Sequence, residues 1–256
     1  MKYLGVFMSA CALLYCGLIE AQTGLEVMQR NKDCVSFSTL QSENELTITN
    51  KNGQKRTRKI KKIESLDSED NKSMVVTFTY PADVEGTALL SVEKSDDRWL
   101  YIPALKQSRR IPDSDLSSSF MGTDFSYEDL ENEEITEFEY QNLGVENLNG
   151  QKCYHIIATP KTKTKQKESG YSKRELFVTS DHYAAVLVKY YDKKGICFKE
   201  LRSSDLRKVN NSDKWKFYKM EMVNLKKKST TTITVDDYVI DQKLSAETFT
   251  KRAIER

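Results

Sequence analysis

WLYIPALKQSRRIPDSDLSSSFMGTDFSYEDL, from Trp99 to Leu130, is the stretch on which the reading of this chain turns. Its first four residues, Trp99 to Ile102, are aromatic, aliphatic and β-branched and stop at Pro103, the pattern of a strand. Arg109 and Arg110 follow, then a Ser- and Asp-rich loop. That loop ends in Phe120, Met121, Gly122, Thr123, Asp124 and Phe125. Connecting segments run over the surface and are polar as a rule. Three large apolar side chains among turn residues need a hydrophobic surface to cover.

Working outward, the chain reads as a succession of strands. Met74 to Tyr80 alternates and ends at Pro81, and Ala88 to Val92 precedes an Asp96-Asp97 turn into Trp99. Beyond the loop come Ile135 to Tyr140, Cys153 to Thr159, Tyr171 to Val178, Ala185 to Tyr191 and Ile196 to Leu201. Lys216 to Met222 and Thr230 to Val235 complete the series. Before it, Cys34 to Ile48 alternates. Asn52-Gly53 then predicts a type I′ hairpin turn. Asn149-Gly150 leads into the Cys153 strand. Lys161 to Lys167 reads as a solvated hairpin tip. Spacing near ten residues with turn clusters between is the signature of an all-β sandwich or barrel. About eleven strands are expected, with helical periodicity confined to Leu25–Met28 behind a Thr23 cap, to Tyr127–Leu130 and to the end after Ser245. A single antiparallel sheet of this size has to curl as strand twist accumulates. The expected fold is therefore mainly β (α+β): one curled antiparallel sheet forming an open, half-closed barrel, covered by short helices and a loop. Its concave face is too broad for its own side chains to fill, and such a sheet encloses a ligand cavity.

The length allows one large domain or two small ones, and four Pro and ten Gly are too few for a linker-rich multidomain chain. The 256 residues are 30% charged and 38% hydrophobic with a net charge of +2, and the mean hydropathy is -0.62. A charge so near neutrality gives no field for nucleic acid. The basic run Arg56, Arg58, Lys59, Lys61 and Lys62 reads as a solvated outer sheet face, because no aromatic residue interleaves and acids follow. At the N-terminus, Lys2, an uncharged apolar run from Tyr3 to Ile19 and the small Ala21 have the layout of a secretory signal peptide, residues 1–21, cleaved after Ala21. An uncleaved anchor and a lipidated Cys11 are the alternatives. A cleaved signal places the mature domain, 22–256, outside the cytoplasm. It retains Cys34, Cys153 and Cys197, an odd number that allows at most one bridge.

Catalytic signatures are missing from the sequence. Its two histidines, His155 and His182, sit in neither a metal nor a triad motif, and no G-x-S-x-G elbow or phosphate loop is present. Asp113-x-Asp115 lacks the rest of a calcium loop. Asp124, Glu128 and Asp129 cluster, with Asp124 read as a helix cap. No cofactor and no catalysis are expected.

The block Trp99 to Lys106, Arg109 to Ile111 and Ser119 to Leu130 resembles the outer membrane lipoprotein-sorting protein family, related in fold to the carrier LolA, the receptor LolB and the regulator RseB. The resemblance extends over Met74–Pro81 and Gly86 and weakly through Gly150–Tyr154 to Phe249. It implies a LolA-like open barrel whose apolar cavity takes acyl chains of lipids or lipoproteins, in the periplasm. It also implies a partner such as an RND-type or other inner-membrane transporter. Trp99, Tyr101, Phe120, Met121 and Phe125 are then the cavity or lid candidates, with Gly122 as hinge. Arg109 and Arg110 are candidates for headgroup or partner contact, or form surface ion pairs. Such a protein works as a monomeric carrier or chaperone; the other role open to it is a periplasmic sensor that binds lipid and a membrane protein.

Overall fold

The computed structural model describes residues 22–131, 134–210 and 212–255; the signal-peptide reading, with its cleavage site and Cys11, lies outside them. Among the described residues, thirteen strands form one sheet. The first six are β1 (Thr39–Thr49), β2 (Lys55–Leu66), β3 (Lys72–Tyr80), β4 (Ala88–Val92), β5 (Asp97–Ile102) and β6 (Gln107–Arg110). The other seven are β7 (Phe138–Leu148), β8 (Gln151–Pro160), β9 (Lys173–Thr179), β10 (Ala185–Tyr191), β11 (Cys197–Lys208), β12 (Trp215–Asn224) and β13 (Ser229–Ile240). The helices are α1 (Gly24–Val35), α2 (Lys163–Glu168) and α3 (Lys251–Ile254).

The strand order β6-β5-β4-β3-β2-β1-β13-β12-β11-β10-β9-β8-β7 is a double meander. Consecutive strands pair antiparallel except β6 and β7, and β13 closes back on β1. The sheet stays open, with β6 and β7 as its edges. The chain between β6 and β7 must therefore travel from one edge to the other, and residues 111–131 do so across the concave face. This topology explains the apolar loop. Phe120 packs with Leu46, Ile60, Phe78 and Leu100 of the first half. Phe125 packs with Met28 of the first helix and with Ile156, Leu176 and Met222 of the second half.

Local sequence accounts for most boundaries. Thr23 and Glu26 form a reciprocal capping box at α1: the Thr23 amide donates to Glu26 Oε2 (2.7 Å) and the Glu26 amide to Thr23 Oγ1 (3.2 Å). Val27 and Met28 then point into the core. The helix runs on through Cys34 and Val35, so these belong to it and not to the first strand. Gly24 is required at its start, because a Cβ there would stand 2.7 Å from the Tyr140 carbonyl oxygen and 2.9 Å from the Tyr140 Cβ. Gly24→Ala is expected to lower stability by about 1–3 kcal/mol through overpacking. An unchanged thermal midpoint would contradict the packing of α1 on β7.

The turn expected at Asn52-Gly53 is found at Asn149-Gly150 instead. At Asn52-Gly53 only Gly53 has positive φ (77°), and its amide donates to the Asn50 carbonyl (2.9 Å). A right-handed turn with a glycine bulge results, not a type I′ turn. At Asn149-Gly150 both residues have positive φ (53° and 90°) between the paired Leu148 and Gln151, which is the two-residue hairpin geometry. Thirteen strands replace about eleven. One of the additions is β6, whose Gln-Ser-Arg-Arg has no apolar alternation and is strand through pairing with β5. The Lys161–Lys167 stretch is α2, capped by Thr162 Oγ1 accepting from the Lys165 amide (3.1 Å), not a hairpin tip. The C-terminal helical reading holds, but α3 covers the convex face: Ile254 and Phe249 pack on Val75 and Leu90. Cys34, Cys153 and Cys197 are free thiols.

Candidate functional site

Between the curled sheet, α1 and the crossing segment lies a cavity of about 340 Å³, at the lower end of the ~300–1,000 Å³ usual for ligand sites. Sheet register builds it. Across neighbouring strands Leu46 faces Ile233, and Ile233 faces Met220; all three line the cavity, with Ile60, Val76 and Leu201. Two residues beyond Ile60 on β2, and four from Leu46 on β1, the row becomes polar. Lys62 pairs with Ser42, and Ser42 with Tyr238. The site thus has an apolar body and a polar end, where Lys62, Glu64, Lys216 and Tyr238 gather.

The basic run of β2 divides by its period of two. Lys59 and Lys61 are exposed, as the sequence reading had it for the whole run. Arg58 and Lys62 face inward instead. The Arg58 guanidinium donates to the Met121 carbonyl and lies over the Phe78 ring at 5.5 Å. At the polar end, Lys62 and Lys72 both reach Glu64 Oε1, at 2.9 and 2.8 Å. Burial works against the Glu64 carboxylate, but these ammonium groups win and hold it well below the usual carboxylate range. Burial pulls the Lys216 ammonium down to about 8, opposed by Glu64 and reinforced by Lys62 and Lys72.

Three carboxylates, Asp124, Glu128 and Asp129, staple the crossing segment to the elements around it. The Asp124 carboxylate accepts from Ser229 Oγ (2.5 Å) and Thr231 Oγ1 (2.9 Å), so Asp124 ties the segment to β13 and is not a helix cap. Glu128 accepts from Ser169 Oγ (2.5 Å) and the Gly170 amide (2.7 Å). Asp129 accepts from Lys199 Nζ (2.5 Å), Tyr171 Oη (2.6 Å) and the Ser126 amide (2.7 Å). The Lys199 and Asp129 side chains are 3% and 2% exposed. Burial lowers the Lys199 pKa against the pull of Asp129, and burial with the Asp129 charge drives the Tyr171 phenol well up.

Of the sequence-predicted residues, Phe120 and Phe125 line the cavity and are buried. Met121 is half-buried beside them. Met121 and Gly122 are the central residues of a tight turn, both at positive φ (48° and 74°), with the Thr123 amide donating to the Phe120 carbonyl (2.9 Å). Trp99 and Tyr101 do share a face, but it is the convex one. They pack with Val75, Leu90 and Ile254, and Lys251 Nζ sits 4.2 Å from the Trp99 ring centre; their strand neighbour Leu100 points inward in their place. Arg109 and Arg110 are exposed on edge strand β6, where Arg110 donates to the Asp96 carbonyl (2.9 Å). Neither arginine lines the cavity, although Arg109, opposite the inward Leu100, hydrogen-bonds the Tyr127 phenol beside Phe120. Lys62 and Lys216 were missed, although Lys62 falls in phase with Ile60. His155 lies between Glu146 (2.7 Å) and Glu175 (2.9 Å) against the Phe177 ring, a clamp across β7, β8 and β9. No described helix is long and apolar enough to cross a membrane.

A model of a family described as "Uncharacterized protein" matches residues 70–256, most of the chain. No curated protein matches it. Solved structures do. A domain from Vibrio parahaemolyticus, described as outer membrane lipoprotein-sorting, is 30% identical with a TM-score of 0.84, over 91% of this chain and 98% of its own. A DUF1329 family protein from Desulfovibrio piger is 31% identical with a TM-score of 0.84, over 90% of this chain and 97% of its own. A LolA superfamily protein from Nitrosomonas europaea is 17% identical with a TM-score of 0.72, over 91% and 99%, a likeness of fold. With its open antiparallel sheet and the segment that crosses it, this chain belongs to the outer membrane lipoprotein-sorting protein family.

Proposed function

We propose that the protein is a periplasmic carrier or chaperone that holds the acyl chain of a lipid or lipoprotein in this cavity, as a step of lipoprotein sorting or lipid transport towards the outer membrane. The observation that carries the reading is the cavity itself: an apolar hollow walled by β1, β2, β12 and β13 and closed by Phe120 and Phe125. A carrier needs binding, not bond chemistry. In this reading the protein acts as a monomer and exchanges cargo with an inner-membrane transporter, of the RND type or another. The three staples keep Phe120, Met121 and Phe125 in place as a fixed wall. Cargo then enters at the polar end, where a second hollow of about 260 Å³ shares Val35, Leu40, Lys62, Glu64 and Lys216 with the first.

Each methylene moved from water into an apolar site contributes ~0.8 kcal/mol, or about fourfold in affinity. Fluorescent fatty acids of increasing length are therefore expected to bind saturably, with affinity rising by about that step until the cavity is full and then levelling. Affinity independent of chain length would refute the carrier reading.

A further inference from the structure

The end of the cavity is chemically unlike its body. Three ammonium groups, Lys62, Lys72 and Lys216, converge there on one carboxylate, Glu64, leaving a local charge of +2 (three minus one). Lys62 and Lys72 crowd the same oxygen of Glu64, and Lys72 also donates to the Leu130 carbonyl (2.9 Å). Lys216 stands apart from the pair, its ammonium 5.2 Å from the centre of the Phe37 ring. Among the described residues, the carboxylate that acts on it is Glu64. The side chains are largely withdrawn from water, with Lys62 27%, Lys72 17% and Glu64 16% exposed. Like charges gathered in a half-buried place repel one another and lose hydration. The neighbouring Ser42, Asn44 and Tyr238 bring no countercharge and are engaged within the sheet: Asn44 to Ser42 at 3.1 Å and Tyr238 Oη to the Phe217 carbonyl at 2.8 Å. An incoming anion offsets the excess charge, and the apolar body begins directly beyond it at Ile60 and Leu40.

We propose that the cargo is an anionic amphiphile, its carboxylate or phosphate head held by Lys62, Lys72 and Lys216 and its chain laid against Leu46, Ile60 and Ile233. This rests on the carrier reading and adds to it the charge and the direction of the ligand: the head stays at the Val35–Phe37 mouth and the chain runs inward towards Phe120.

The test compares dansyl-undecanoic acid with its methyl ester, which has the same chain and no charge. The acid is expected to bind at least ~10-fold tighter, the scale of charge-assisted hydrogen bonds to a head. Lys216→Met and Lys62→Met each reduce that ratio, and together they bring it close to one, with the ester's affinity moving far less than the acid's. Added salt weakens the acid and spares the ester in the unaltered protein, a readout that stands even if the double variant does not fold. Inorganic phosphate competes only weakly with the acid, whereas dodecyl phosphate competes strongly. Equal affinities for acid and ester, or variants that weaken both alike, overturn the proposal. Inorganic phosphate competing as well as dodecyl phosphate also overturns it and makes the cluster a free-anion site. If neither probe binds, the carrier reading itself fails and the proposal with it.

Discussion

Replacing Asp129 by alanine is expected to destabilise the protein by about 3–5 kcal/mol, the penalty for leaving one partner of a buried ion pair uncompensated. Lys199 Nζ sits 4.8 Å from the ring centres of both Tyr171 and Tyr190 and 5.9 Å from that of Phe198. Rings of this kind attract a cation, but they do not replace a carboxylate at 2.5 Å. Removing Asp129 also strips acceptors from the Tyr171 hydroxyl and the Ser126 amide. At about 2–4 °C per kcal/mol for a chain of this size, the midpoint is expected to fall by roughly 10 °C. The double variant Asp129→Leu with Lys199→Met is expected to be more stable than Asp129→Ala, because the pair as a whole is expensive to desolvate. Thermal denaturation of the three proteins checks this. A shift of about 1 °C for Asp129→Ala would mean that the crossing segment is not held by this bond.

Ala185→Trp is expected to weaken binding of a fluorescent acyl probe by at least ~10-fold, at a cost of a few °C in thermal midpoint, the scale of an overpacked side chain. Ala185 starts β10 and lines the cavity, so an indole there occupies the space an acyl chain would take. The matched control is Trp99→Ala. Trp99 lies under α3 on the convex face, and its loss is expected to lower the midpoint while leaving probe affinity within about twofold, since no cavity contact is touched. If Trp99→Ala removes binding and Ala185→Trp does not, the ligand sits on the other face of the sheet.

How far these residues speak for themselves depends on where their partners are. The capping box at Thr23 and Glu26 is local, so α1 is legible from sequence. The turn residues and alternation of β3, β4 and β5 are local too. β6 is not: Gln107–Arg110 becomes a strand only because β5 offers it an edge. α2 likewise has no apolar stripe and rests on the Thr162 cap. The period of two puts Trp99 and Tyr101 together but does not say on which face, and around β4 both faces are buried, because α3 closes the convex side. Phe120 and Phe125 were legible as residues needing a surface, since their apolar character conflicts with a loop. Lys62 and Lys216 were not. They lie on strands β2 and β12, separated in the sheet by β1 and β13, and only the curl brings them together. Asp124 and Asp129 look like a carboxylate cluster in sequence and are pulled apart in space, one to Ser229 and Thr231, the other to Lys199.

Gentle mass spectrometry of the intact protein purified from its own host tests the central claim most directly. The account predicts a population heavier than the polypeptide by one acyl-chain-bearing molecule, lost on organic extraction and absent from Ala185→Trp purified in the same way. A bare polypeptide mass under every gentle condition, or an adduct that Ala185→Trp retains in full, would contradict it.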